Sequence, residues 1–167
     1  MKHLDSDRIF CYDTCLFPEN RSFDMSKQFN VLIIFRGVPG SGKTTYAKEM
    51  MKDDNCRHFE NDDFFTDDNG NYHFDFKYHQ KAKDQCLEKT KAALLEGKRV
   101  IVSNTFIKVD ELSPYLDFCG QNGIEYAVID VMNRFKNVHD IPESIIDQKA
   151  AEFEQYYGAN GLVMKEK

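Results

Sequence analysis

The sequence predicts an α/β three-layer sandwich around a mainly parallel sheet. Two observations carry this. Val31-Leu32-Ile33-Ile34-Phe35 is an unbroken apolar run of strand length ending in glycines, the pattern of a strand covered on both faces. Further short apolar runs then alternate with helix-period segments, as strands joined by crossover helices do. The chain has 167 residues, 41% of them hydrophobic, so it can bury a core in one domain plus a short extension. The expected division is an N-terminal extension over residues 1–30 and a single domain over 31–167.

The elements follow in order. Residues 1–30 are of mixed polarity, with Ile9-Phe10-Cys11-Tyr12 as the main apolar cluster, room for one edge strand. The strand at 31–35 leads through glycines into a helix from Thr44, where Tyr46, Ala47, Met50 and Met51 recur at helical spacing. Arg57-His58-Phe59 reads as a short strand, and Asp68-Asn69-Gly70-Asn71 as a tight turn. His79, Ala82, Cys86, Thr90, Ala93 and Leu94 share one face of a long helix that Gly97 closes. Val100-Ile101-Val102 is the third strand, Leu112, Tyr115, Leu116 and Cys119 mark a short helix, and 124–131 is the fourth strand. Pro142 opens a last helix whose Ile146, Ala150, Phe153 and Tyr157 are expected to face inward.

Composition narrows the function classes. No apolar run approaches the eighteen or so residues a membrane span needs, and the first residues are too polar and acidic for a secretory signal, so no membrane partner is expected. Five scattered cysteines suit a reducing, cytoplasmic setting; Cys11 and Cys15 lack the second pair that would make a zinc site. Net charge is −6, which argues against a simple basic nucleic-acid binder. The charge is unevenly spread. Residues 53–76 hold eight acids against Arg57, whereas 77–99 hold Lys77, Lys81, Lys83, Lys89, Lys91, Lys98 and Arg99 against three acids. That basic stretch reads either as the solvated face of a helix or as the rim of an anion-binding mouth.

The chemistry sits in the glycines. Gly37-Val38-Pro39-Gly40-Ser41-Gly42-Lys43-Thr44 fits G-x-x-x-x-G-K-[ST] between a buried strand and a helix, the context the phosphate-binding loop requires. Glycines let the backbone wrap phosphate oxygens, and the new helix offers them its positive end. Lys43 would bridge the β- and γ-phosphates of ATP, and the Thr44 hydroxyl would hold Mg2+. Gly37, Pro39, Gly40, Ser41, Gly42, Lys43, Thr44 and Thr45 are therefore the expected nucleotide-binding residues. Asn61-Asp62-Asp63 follows a short strand, where the crevice of such a sheet opens. A carboxylate there could accept the proton of a hydroxyl acceptor, or either aspartate could be a helix cap.

These motifs, with Phe64-Phe65, Gly70-Asn71-Tyr72-His73-Phe74, Ser103-Asn104-Thr105 and Ile141-Pro142-Glu143-Ser144-Ile145-Ile146, resemble the P-loop polynucleotide 5'-hydroxyl kinase family. Within it, the similarity is closest to the kinase-like domain of proteins that bind a ubiquitin ligase. The resemblance spans about residues 31–157 and implies a P-loop NTPase, kinase-like, with ATP and Mg2+ as cofactors and a nucleic-acid 5'-end as acceptor. It implies Asp62 as general base, Lys43 on phosphate, Thr44 on the metal, and Asn104 beside the metal or the γ-phosphate. Two departures stand out. Phe65 replaces a substrate-binding arginine, and the usual arginine-rich lid shrinks to residues 132–141, with Arg134 and Lys136 as its bases. Arg134 is then the candidate cation for the transferring phosphoryl group. A small-molecule kinase and a nucleotide-binding module with little catalysis remain the alternatives.

Overall fold

The structure, a computed structural model, describes residues 30–51, 53–135, 141–158 and 160–164. The extension before Asn30, with Cys11 and Cys15, and the lid base Lys136 lie outside these residues. Five strands form one sheet: β1 (Val31–Arg36), β2 (Cys56–Phe59), β3 (Arg99–Asn104), β4 (Glu125–Val131) and β5 (Gly161–Met164). Their order is β2-β3-β1-β4-β5, and every pairing is parallel. The helices are α1 (Lys43–Met50), α2 (His79–Leu95), α3 (Ser113–Asn122) and α4 (Glu143–Glu152).

The alternation of β1 side chains makes the two outer layers. Leu32 and Ile34 pack with Val100, Val102 and Val128 against Cys86 and Leu94 of α2 and Tyr115 and Cys119 of α3. Ile33 and Phe35 face the other way, with Ile101 and Ile129, onto Ala47 of α1. A strand apolar at every position is thus explained by cover on both sides. The chain leaves β1 toward β2 on one side and later places β4 on the other, so the loop after β1 lies where the strand order reverses. Sites form at such switch points, outside the carboxyl ends of the strands.

The last third differs from expectation. The final helix ends at Glu152, because Phe153 turns to an extended backbone, and Ala150 and Tyr157 are exposed rather than inward-facing. Ile146 alone of the four is fully buried, packed on Val38 and Ile107. The chain then adds β5 as an edge strand, which the sequence reading does not contain; at four residues behind a glycine turn, it lacks a strand-length apolar run.

What turns the chain at Phe153 is Arg36, the last residue of β1 and fully buried. Its guanidinium donates to the carbonyls of Phe106 (2.6 Å), Ile107 (3.3 Å) and Glu154 (2.7 Å), lies 3.4 Å from Asp130 of β4, and sits 4.4 Å from the Phe153 ring centroid. Burial pushes the arginine down and the aspartate up from their ordinary pKa values, so the pair stands on geometry rather than on cheap charge. Arg36→Met should cost about 3–5 kcal/mol in chemical or thermal denaturation, because it strands Asp130 and three carbonyls. Arg36→Met with Asp130→Leu should recover much of that loss.

Candidate active site

The phosphate loop is held from below by β4. Gly37 has φ 152°, and a Cβ there would stand 2.4 Å from the Val131 carbonyl oxygen. Gly42 has φ 93°, and its Cβ would press on the Phe135 ring at 3.1 Å. Only glycine meets both the left-handed turn and the close approach. Phe135 also ties its N–H to the Gly40 carbonyl at 2.8 Å, so the segment after β4 lies along the loop. Pro39 and Gly40 are half-buried, Ser41 is fully buried, and Thr45 is exposed on the first turn of α1.

Lys43 folds back into its own loop. Nζ donates to the Val38 carbonyl (2.9 Å) and lies 3.4 Å from Ser41 Oγ, with 9% of the residue exposed. Burial lowers its pKa to about 8, against the pull of Glu60 and Asp62. A cation held so deep, next to two acids and a glycine loop, is a receptor for anionic oxygens.

The chain after β2 brings the acids. Thr44 Oγ1 donates to Glu60 Oε1 at 2.5 Å, Ser103 at the end of β3 donates to the same oxygen, and His58 Nε2 lies 2.7 Å from Ser103 Oγ and 3.4 Å from Glu60. Burial pushes the Glu60 carboxyl up, but the hydrogen bonds from His58, Ser103 and Thr44 outweigh it and hold it at about 2. Glu60 is a residue of this cluster that the sequence reading does not single out. It entered only as one acid in a tally, although its place directly after a strand end was a usable signal.

The two aspartates make different contacts. Asp63 is exposed, and its Oδ2 accepts the Glu60 N–H at 2.9 Å, so it is a cap on the 3-10 segment Asn61–Phe65. Asp62 is half-buried, with Tyr72 Oη donating to its Oδ1 at 3.2 Å. Burial and the Asp62 charge push the Tyr72 hydroxyl up to about 12, so it keeps its proton and stays a donor. Asn104, expected beside the metal or the γ-phosphate, uses its amide on the protein in this structure: Oδ1 accepts the Asn61 N–H at 2.8 Å and Nδ2 lies 3.6 Å from Cys86 Sγ. It anchors the segment that carries Asp62. Arg134 is drawn to α4, ion-paired with Asp147 and 3.4 Å from Glu143. The structure therefore gathers Lys43, Thr44, Glu60 and Asp62, and sets Arg134 against α4.

Beyond Asp62 runs a ladder of rings. Tyr72 and Phe74 stack at 17° with centroids 6.5 Å apart, Phe74 meets Phe65 at 4.9 Å, and Phe64 meets Phe65 at 5.2 Å. Phe65, in the position of the expected arginine, is buried as the base of this ladder, while Phe74 is 51% and Phe76 77% exposed. Lys81 stands 5.7 Å over Phe64 and Lys77 4.7 Å over Tyr78, so part of the basic stretch does face the rings.

Residues 32–134 match the AAA_33 family, an AAA domain. This chain is a member of the AAA_33 family. Among relatives, human NEDD4-binding protein 2 is 26% identical over 138 residues, covering 75% of this chain and 8% of that protein. An uncharacterized protein of Pasteurella multocida is 27% identical over 129 residues, covering 69% of this chain and 72% of its own. Among solved structures, a chain of the Pnkp1/Rnl/Hen1 RNA repair complex superposes with TM-score 0.61 at 20% identity, over 78% of this chain and 46% of that one. A sugar kinase from Janibacter sp. HTCC2649 gives 0.57 at 16% identity, over 81% and 84%. The AAA_33 chain thus has a P-loop, kinase-like α/β fold, and it spans a small part of the human relative and under half of the RNA-repair chain. Among the described residues, no helix is long and apolar enough to cross a membrane.

The residues present fit a nucleotide with its magnesium. Thr44 offers a hydroxyl oxygen beside an ionised carboxylate, the hard oxygen donors that Mg2+ takes in small numbers alongside phosphate and water.

Proposed function

We propose that this chain is an ATP-dependent phosphotransferase that moves the γ-phosphate to a hydroxyl, with the 5'-hydroxyl of a nucleic acid as the acceptor. The observation that carries the reading is Asp62. It acts electrostatically on Lys43 on one side and takes the Tyr72 hydroxyl on the other, at the head of an exposed aromatic ladder. With ATP bound, Lys43 would exchange the Val38 carbonyl for phosphate oxygens, and Thr44 would hold Mg2+. The metal ion supplies charge neutralisation on the phosphates. Asp62 would orient the acceptor hydroxyl and take its proton as the new oxygen–phosphorus bond forms and the γ-phosphorus bond to the bridging oxygen breaks, ADP being the leaving group, with Tyr72 donating to the far carboxylate oxygen. Asn104 keeps Asp62 in register through the Asn61 amide.

Exposed rings with lysines over them suit unpaired bases, since each base has a face to stack and the strand a charge to meet. Against the overall charge of −6, Lys81 stands at the ladder itself, over Phe64. Phe74→Ala should raise KM for an oligonucleotide roughly five- to a hundredfold, the worth of one stacked base, with ATP affinity and kcat little changed. Free, buried Cys56, Cys86 and Cys119 accord with a reducing, cytoplasmic setting.

One observation favours the second reading, a nucleotide-binding module with little catalysis. Arg134, the candidate clamp on the transferring phosphoryl group, is held by Asp147 and Glu143. Those ion pairs are exposed and worth at most about 1 kcal/mol, so a phosphate can draw the guanidinium away. Arg134→Ala should lower turnover about tenfold or more, leaving ATP affinity and melting temperature unchanged; unchanged turnover returns Arg134 to the surface of α4. The reading as a whole is tested with γ-labelled ATP and three acceptor sets: 5'-hydroxyl DNA and RNA oligonucleotides, the same oligonucleotides bearing a 5'-phosphate, and small alcohols. Label is expected on the first set alone. Label on the small alcohols alone contradicts the nucleic-acid acceptor, and ATP binding with no transfer supports the module.

A further inference from the structure

Phosphate-loop enzymes hold magnesium with the loop's Ser or Thr and, on a strand neighbouring β1, an acid at its carboxyl end. Here both neighbours of β1 lack a usable one. β3 ends in Ser103 and Asn104, which pair in register with Phe35 and Arg36. Asp130 near the end of β4 is fully buried, lies against Arg36, and accepts the Tyr156 N–H. The carboxylate that does reach the Thr44 hydroxyl is Glu60, which follows β2, one strand further out.

We propose that Glu60, carried just after β2 rather than on β3, is the acid that completes the magnesium shell with Thr44, and that Ser103 and His58 hold it there. The inference rests on the nucleotide-binding half of the proposed function and not on the acceptor. Three observations support it. Ser103 occupies the place where an acid on β3 would stand, and its short side chain leaves Glu60 room to cross over it while donating to Oε1. His58 packs on Ser103 from the same strand that leads to Glu60, at 2.7 Å from Oγ. The Glu60 side chain is only 16% exposed, and among the described residues it forms no ion pair with a lysine or arginine. A carboxylate so placed, touching the hydroxyl that would hold the metal, can serve a divalent cation alongside the Lys43 ammonium.

Mn2+ titrated in the presence of ADP and followed by electron paramagnetic resonance reads the metal directly, without turnover. Glu60→Gln keeps an oxygen for the Thr44 hydroxyl and loses the charge. It should weaken nucleotide-dependent Mn2+ binding roughly ten- to a hundredfold, with metal-free ADP affinity within about twofold of the parent. Parental Mn2+ affinity in a folded Glu60→Gln protein overturns the assignment. If Glu60→Gln does not fold, Glu60→Asp keeps the charge but withdraws the oxygens by one methylene. It should weaken Mn2+ severalfold, and parental affinity there overturns the assignment equally. The two ideas fail differently: a parent protein that binds no ADP sinks the nucleotide site itself, whereas nucleotide-dependent Mn2+ binding that ignores position 60 sinks only Glu60.

Discussion

Lys43→Met should abolish phosphotransfer, by about a hundred- to a thousandfold, and yet leave a protein that melts no lower than the parent. The first half follows from its place: among the described residues the ammonium is the cation inside the glycine loop, and removing a preorganised partner of transition-state charge costs that much. The second half follows from burial. The unfolded lysine keeps its proton up to about 10.5 and the folded one only to about 8, so below pH 8 the buried charge opposes folding by about 3 kcal/mol. As pH rises from about 8 to 10.5 the unfolded state holds the extra proton, and parental stability should climb across that window. Lys43→Met should flatten that climb. Thermal melts of both proteins at pH 7 and pH 9.5, with an ATP-binding titration, check all three statements. A lysine that merely stabilised the loop would show the reverse, a large fall in melting temperature at pH 7.

Asp62→Asn should cut turnover about a hundred- to ten-thousandfold while ATP affinity stays within about twofold, the signature of a lost proton acceptor. The amide still receives the Tyr72 hydroxyl and still fills the site, so packing and acceptor alignment survive; what it cannot do is take a proton. Asp63→Asn is the internal control. Its task is to accept the Glu60 N–H, an amide oxygen can do the same, and the expected effect is within about threefold of the parent. If the ranking were inverted, with Asp63→Asn the more damaging, the general base would be the neighbouring residue. Steady-state kcat and KM for both variants decide it.

Much of this was readable in the chain. β1 and its glycine loop announce themselves because the run is local and continuous, and the faces of α2 and α3 because helical spacing repeats within a few residues. Of the two readings of the double aspartate, the cap belongs to Asp63, and the base is the role proposed for Asp62. What was hidden is long-range. Glu60 becomes a site residue only because Thr44 and Ser103, 16 and 43 positions away, converge on one of its oxygens. Arg36 read as the end of a strand, since nothing nearby foretells carbonyls 70 and 118 residues later in the chain. The Glu154 carbonyl that Arg36 holds lies just past the end of the last helix. Asn104 was singled out at the right strand end, but its amide is spent on Asn61, a contact no spacing rule contains.

The central claim, that the phosphate loop and Asp62 serve one reaction on a 5'-hydroxyl end, is tested most directly by locating the transferred phosphate. A 5'-hydroxyl oligonucleotide incubated with γ-labelled ATP, Mg2+ and the protein is digested to nucleoside monophosphates. The account predicts label recovered solely in the 5'-terminal nucleotide, and none when the protein carries Asp62→Asn. Label found only as free phosphate or left in ATP, with the protein folded and ATP bound, would contradict it.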